Sequence, residues 1–308
     1  MDAAAIQPAE DPGIEVETLF LSRAFNAFQA RAQHKRIVTF RTADGAGALS
    51  LAGADGVWTN PVTGAFGGLA ARGPVPAVVV LELIQAATAW LRKDADAARA
   101  AVRLPPGAFA DPNAGALENA LFQTGWRLDQ VDLNHHLPVS APETFVRALD
   151  ETRRKALRRL RRSEAAFVTR PLGDAQRVYD VIARNRAARG VPMTMGWPQV
   201  AALAEAFPDH VSFHAAERAG AILAGAVVLR LTAAYRYVFY WGEDPDVRRE
   251  SPVILLAEGL VELCYREGVS ILDIGTSTEA SRPNPGLIAF KESLGCLATG
   301  KRTYVLEA

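Results

Sequence analysis

The chain has 308 residues, 49% of them apolar and 22% charged, with 34 Lys and Arg against 34 Asp and Glu. That composition excludes a disordered, collagenous or coiled-coil protein and suits two domains with sizeable cores. A net charge of zero removes any whole-protein attraction to nucleic acid or anionic membrane, so such binding needs a local basic patch.

Residues 1–14 are Ala-rich and carry Asp2, Glu10 and Asp11, so they read as a flexible leader; a secretory signal needs a basic start and an apolar run. Glu15 to Gln33 is predicted as one helix, followed by short strands at Arg36 to Phe40 and Ala48 to Leu51. Next come a strand at Val57 to Asn60, a loop at Thr63 to Gly73 with Gly64, Gly67 and Gly68, a helix at Pro76 to Arg92 and a strand at Ala100 to Leu104. A helix over Asn113 to Thr124 stops at Gly125, and Trp126 to Leu137 is a long strand.

Glu143 to Ala166 reads as one helix with its apolar stripe at Val146, Leu149, Leu157 and Leu160. Between Arg147 and Arg162 it carries eight basic residues and two acids, which makes it the one strong basic patch. Helices follow at Asp174 to Arg189 and Trp197 to Phe207, then strands at Val211 to Glu217, Ile222 to Leu231 and Tyr235 to Trp241. Ser251 reads as an N-cap with Pro252 in the first helical position, the helix running to Arg266. Ile271 to Ile274 is a buried strand, Gly286 to Leu294 a helix, and Arg302 to Leu306 the last strand.

Strand, Gly-containing loop, helix, strand, helix, Gly and strand thus occur once over Val57 to Leu137 and again over Tyr235 to Leu306. Alternation of strands with helices implies α/β units, here an N-terminal unit 15–140 and a C-terminal unit 141–308 entered by the basic segment 143–166. Two cysteines, Cys264 and Cys296, are too few for a disulfide framework, and the cytoplasm is the expected compartment. No membrane span is expected, because Glu82, Gln85, Glu258 and Glu262 interrupt the most apolar helices. His210 and His214 fall on a strand, as do His135 and His136, so no metal site is expected.

In the second half, Ala224-Gly225-Ala226-Val227-Val228, Tyr235 to Tyr240, Arg248, Ser251-Pro252, Leu272-Asp273-Ile274-Gly275 and Phe290-Lys291-Glu292-Ser293-Leu294-Gly295 follow one another in an order that resembles the GNAT superfamily. Arg154-Lys155-Ala156-Leu157-Arg158-Arg159-Leu160 is similar to the basic lead-in of its Fem-like branch, in which two GNAT units are fused. The resemblance implies tandem GNAT-like units, each a mixed twisted sheet flanked by helices, and transfer of an acyl group from an activated donor to an amine, with the chemistry in the second unit. Splayed neighbouring strands would leave backbone N–H groups for the acyl carbonyl, and the next helix N-terminus would attract the donor's phosphates.

One departure bears on the donor: Arg248-Arg249-Glu250-Ser251-Pro252 stands where the acetyltransferase signature places glycines around a pyrophosphate. An acyl-CoA co-substrate, an aminoacyl-tRNA donor acting on a cell-wall or nucleotide-linked precursor, and a catalytically inactive GNAT-fold binding protein are the three readings. The amine acceptor is a small molecule, sugar or peptide, and tRNA is a partner under the second reading.

Lys291, where the Fem-like motif also carries Lys, would neutralise a phosphate or developing oxyanion; the matching first-half position is Leu121. Asp273 at a strand C-terminus is the candidate general base, and Tyr240, on a strand alternating through Tyr235, Tyr237, Phe239 and Trp241, the candidate general acid. Arg248, Arg249 and Ser251 are placed at the donor. Trp241, Thr276, Ser277 and Asn284 are placed at the substrate, the last three on a long polar loop, Thr276 to Pro285. Arg154 and Arg158 are the candidate phosphate contacts of the basic helix.

Overall fold

The computed structural model describes residues 6–93 and 97–307. In chain order the elements are α1 Arg23–Ala32, β1 Arg36–Arg41, β2 Gly47–Ala54, β3 Val57–Asn60, β4 Ala70–Ala71, α2 Ala77–Lys93, β5 Arg99–Arg103, α3 Ala114–Gln123 and β6 Arg127–Pro138. They continue with α4 Pro142–Ala148, α5 Glu151–Arg162, β7 Ala166–Arg170, α6 Leu172–Ala188, α7 Trp197–Ala206, β8 Val211–Arg218, β9 Ala221–Arg230 and β10 Tyr235–Glu243. The last are α8 Val253–Arg266, β11 Ile271–Thr276, β12 Thr278–Glu279, β13 Arg282–Pro283, α9 Pro285–Glu292 and β14 Leu297–Glu307.

Two compact units result: residues 1–134, 278–283 and 299–308 form unit 1, and residues 135–277 and 284–298 form unit 2. Unit 1 has the strand order β1-β2-β3-β5-β14-β6, with β3 and β5 parallel and β14 antiparallel to β5 from Thr303↔Arg103 to Glu307↔Arg99. Its core gathers Val38, Phe40, Leu49, Leu51, Leu83, Ile84, Val102 and Leu121 under α2 and α3. Unit 2 has the order β11-β10-β9-β8-β7, antiparallel except for β10 beside β11. The apolar face of α8, from Val253 to Cys264, lies in its core with Leu157, Leu160, Val228, Val238, Leu272 and Ile274.

Four expectations are corrected. A contiguous unit 141–308 is interrupted, because backbone pairing to β5 draws the chain after Thr299 into unit 1. The helix expected over Glu15 to Gln33 is a short 3-10 turn, Leu19–Leu21, followed by α1, which Ser22 caps by accepting from the Phe25 N–H. The helix expected over Glu143 to Ala166 breaks at Leu149: Asp150 caps a second helix through the Arg153 N–H, and from Ala166 the chain enters β7. Finally, residues 1–5 of the expected leader lie outside the described residues, but the rest is tied down. Ala9 exchanges backbone hydrogen bonds of 3.0 and 2.8 Å with Thr39, Asp11 pairs with Arg41, and Ile14 is buried.

Candidate functional site

In unit 2, β10 and β11 pair in parallel at Tyr235↔Ile271, Arg236↔Leu272 and Tyr237↔Asp273, and the register ends there. β10 runs on to Glu243 against β9, and β11 runs on to Thr276. The strands therefore splay, and among the described residues the edge of β10 beyond Tyr237 has no strand partner on the β11 side.

A register shift against β9 falls between Val238 and Tyr240, so Phe239 is an inserted residue. The insertion overturns the expected alternation. Tyr240 shares a face with Tyr235, Tyr237 and Gly242, while Trp241 joins Val238 on the opposite face, packing on the α8 core.

Tyr240, 5% exposed, hydrogen-bonds through Oη to Thr194 Oγ1 of the segment joining α6 to α7. Its ring lies 4.2 Å from that of Phe239 and 5.5 Å from the Arg186 guanidinium carbon. The same segment is pinned by Tyr179, whose Oη donates 2.9 Å to the Met195 carbonyl, and by Arg186, whose Nη2 donates 2.9 Å to the Pro192 carbonyl. Burial, then the nearby Tyr240, raises the Tyr179 phenol above its ordinary value. A largely exposed segment, 191–196, thus brings the Thr194 hydroxyl onto the buried phenol at the splay.

Asp273 and Lys291 are anchors in this geometry. Asp273 is 1% exposed; Oδ2 accepts from Tyr235 Oη at 2.6 Å and Oδ1 from the Gly275 N–H at 2.7 Å. Burial, then the Asp273 charge, pushes the Tyr235 phenol far above its ordinary range. Gly275 sits at φ +76, so the bend after the carboxylate favours glycine. Lys291 is 2% exposed, and Nζ donates to the carbonyls of Gly275 at 2.8 Å and Thr276 at 2.9 Å, fastening α9 to the end of β11. Ser277 is buried with its Oγ 2.9 Å from His135 Nδ1. Burial, then Lys291, lowers the His135 pKa, and its buried Nε2 has no hydrogen-bond partner among the described residues.

The remaining candidates have mainly structural placements. Asn284 caps α9, Oδ1 accepting from the Leu287 N–H at 3.0 Å. Trp241 meets Phe290 at 6.0 Å, and the Arg153 guanidinium covers Phe290 at 5.5 Å. Arg154 closes the end of α4, Nη1 donating to the carbonyls of Arg147 at 3.0 Å and Leu149 at 2.7 Å, while Arg158 projects to solvent.

Ser251 does not cap α8. It takes a left-handed conformation, φ +57, at the end of a 3-10 helix, Pro245–Glu250, and α8 begins at Val253 behind Pro252. Arg248 is exposed with Nε 3.8 Å from Glu243 Oε1, and the Arg249 carbonyl accepts from Arg159 Nη2 at 3.3 Å. The expected substrate loop is mostly a hairpin, β12 with β13, whose residues belong to unit 1. There Thr278 Oγ1 donates to Asp132 Oδ1 at 2.6 Å and the Val131 N–H donates to Ser281 Oγ at 2.9 Å.

Sequence reasoning missed Thr194, Arg186, Glu243 and His135. His135 was visible only as one of two adjacent histidines, and the others carry no motif. Among the described residues no group of three His, Cys, Asp or Glu is placed to hold a metal, and no helix is long and apolar enough to cross a membrane.

Residues 147–291 match the family model described as an acetyltransferase (GNAT) domain. Within unit 2, residues 147–291 thus resemble a GNAT acetyltransferase domain. Three solved structures show the same architecture over most of the chain. FemX superposes with a TM-score of 0.67 at 11% identity, covering 96% of this chain and 94% of that one. The C-terminal domain of a putative lysylphosphatidylglycerol synthetase from Agrobacterium fabrum gives 0.60 at 13%, covering 91% and 86%. A tandem GNAT protein from the clavulanic acid biosynthesis pathway gives 0.51 at 17%, covering 89% and 83%. No curated protein matches the chain. The chain has the Fem-like tandem GNAT fold.

Proposed function

We propose that unit 2 is an N-acyltransferase moving an acyl group from an ester or thioester donor to an amine, with the carbonyl docked on the free edge of β10. The observation that carries this reading is the splay after Tyr237↔Asp273, beside the inserted Phe239. A backbone edge without a strand partner supplies fixed N–H donors to a carbonyl oxygen as it becomes an oxyanion.

The amine nitrogen attacks the carbonyl carbon, the N–C bond forms, and the C–S or C–O bond to the donor breaks. Tyr240 Oη, oriented by Thr194, gives its proton to the departing sulfur or oxygen and is reprotonated by the proton the amine loses. Lys291 and Asp273 act through position, holding the end of β11 away from β10.

A second reading, an aminoacyl ester of tRNA as donor, is favoured by the glycine-free turn at Arg248 to Pro252, which lets no backbone close round a pyrophosphate. Two of the structural neighbours, by name FemX and a lysylphosphatidylglycerol synthetase, support it. Under either reading the compartment is the cytoplasm and the acceptor a small-molecule, sugar or peptide amine.

The test is amide formation from labelled acyl-CoA and from aminoacyl-tRNA with a panel of amines, repeated with Tyr240→Phe. The phenylalanine keeps the ring and removes the proton, so kcat falls about 100-fold or more with KM and melting temperature unchanged. Unaltered kcat removes Tyr240 from the chemistry, and binding of a donor with no turnover establishes the inactive binding protein instead.

A further inference from the structure

Unit 2 holds a cavity of about 370 Å³ where α5, β7 and α8 meet, within the roughly 300–1,000 Å³ of small-ligand pockets. β7 is the third strand from β10, so this cavity is separate from the splay. Its floor is apolar, with Phe167, Leu255 and the bare backbone of Gly259 in the interior of α8. A Cβ on Gly259 would lie 2.1 Å from Phe167 Cγ, so glycine is what lets the ring lie on the helix, and the ring also stacks on His214 at 5.4 Å.

The walls are charged. Glu258 is 6% exposed, and its Oε1 accepts from Arg161 Nη2. Its Oε2 has no hydrogen-bond partner among the described residues, which leaves a buried carboxylate half satisfied. Burial pushes the Glu258 carboxyl above its ordinary range against the pull of Arg161, and the Glu262 charge adds to the rise. Glu262 and Arg266 also line the cavity, both exposed. Four residues apart on α8, they have the spacing of a helix ion pair, yet neither side chain makes a hydrogen bond or ion pair among the described residues.

A simple cation in this cavity would meet two arginines, and a simple anion two glutamates; a zwitterion answers both. We propose that the cavity is a binding site for a free α-amino acid with an apolar side chain. The ammonium donates to Glu258 Oε2 and Glu262, the carboxylate accepts from Arg266, and the side chain lies on Phe167 and Leu255.

The full chain is titrated calorimetrically with L-phenylalanine, L-leucine and glycine, and with two half-ligands, 2-phenylethylamine without the carboxylate and 3-phenylpropanoate without the ammonium. L-phenylalanine or L-leucine is expected to bind one to one, with glycine and both half-ligands roughly tenfold or more weaker. Glu262→Gln and Arg266→Gln, at exposed positions that the fold does not need, should each weaken amino-acid binding by a similar factor, and Glu258→Gln by more. If Glu258→Gln does not fold, the two exposed variants decide. No saturable binding of either apolar amino acid, equal affinity for 2-phenylethylamine and L-phenylalanine, or full affinity in both Glu262→Gln and Arg266→Gln overturns the proposal. Acyl transfer plays no part in the readout, so loss of the proposed function leaves this inference standing, and its own failure leaves the proposed function untouched.

Discussion

Units 1 and 2 repeat one succession of elements, yet their central parallel strands end differently. In unit 1, β3 stays paired with β5 through its last residue, Asn60↔Val102, and the glycine-rich loop then folds back over the strand ends. The Gly67 N–H donates 2.7 Å to the Arg103 carbonyl, and Asn60 exchanges hydrogen bonds of 3.2 and 2.7 Å with the backbone of Gly68. Phe66, 1% exposed, packs between Phe20 at 5.4 Å and Phe109 at 4.8 Å. A Cβ at Gly67 would lie 2.1 Å from Asn60 Oδ1, which explains the glycine. In unit 2, β10 leaves β11 after Tyr237, and among the described residues no strand pairs with its edge beyond that point on the β11 side. Strand order alone does not make a carbonyl site; the backbone groups at the strand ends must be unused by the protein itself.

The strongest way to break the comparison is to exchange the two residues one turn before the glycine that ends α3 and α9. Leu121 is fully buried among Leu83, Ile84 and Leu117, so Leu121→Lys places a charge without a partner in the core. A loss of about 3–5 kcal/mol in urea unfolding is expected. Lys291→Leu removes the donor to the Gly275 and Thr276 carbonyls and should cost about 1–3 kcal/mol while lowering acyl transfer with it. Retained stability in Leu121→Lys would show that unit 1 has a carbonyl-lined pocket after all.

Acid separates the units next. Of the five histidines only His34 lies in unit 1, and it is exposed. In unit 2, His214 is 1% exposed, stacks on Phe167 at 5.4 Å, and has its pKa lowered to about 3 by burial and then by Arg236. Burial lowers His135 and His136 as well. Above the unfolded value near 6.5 both states are neutral and the stability is complete. Below it the unfolded chain takes up a proton that the folded chain refuses until about pH 3. Stability should therefore fall by about 1.4 kcal/mol per pH unit from His214 as pH drops from 6.5. Unfolding midpoints at pH 7 and pH 5 measure it, and His214→Gln should flatten the dependence.

The smallest effects sharpen the reading of the basic helix. Arg154→Ala leaves the last carbonyls of α4 without their donor and should cost about 1 kcal/mol. Arg158→Ala, on the solvent face, should stay within about 0.5 kcal/mol. If that face tracks tRNA phosphates, Arg158→Ala should reduce the slope of log affinity against log salt by about 0.7 to 0.9. An unchanged slope leaves Arg158 with solubility alone.

Much of the site's material was legible in residue types. Lys291, Asp273, Tyr240 and Ser277 all lie on or beside the splayed strands. Their roles were not. Whether a carboxylate is a base or an anchor depends on which donors face it, and Tyr235 and the Gly275 N–H both reach Asp273 through a neighbouring strand and a local bend. Thr194 and Glu243 were invisible because each meets a partner distant in sequence: Tyr240 for the first, Arg189 and Asn185 for the second.

By itself the sequence determined most of the helices and strands, their repeated order, and the apolar faces of α2 and α8. Those depend on local periodicity, on capping residues and on glycines at turns, all of which act within a few residues. Only the tertiary structure decided that residues 278–283 and 299–308 belong with unit 1, and that Phe239 is an inserted residue which turns Tyr240 onto the face of Tyr237. Each is a matter of pairing register or burial between segments far apart in the chain. A shift of one residue in register reverses every side chain beyond it, and nothing in the local sequence carries that information.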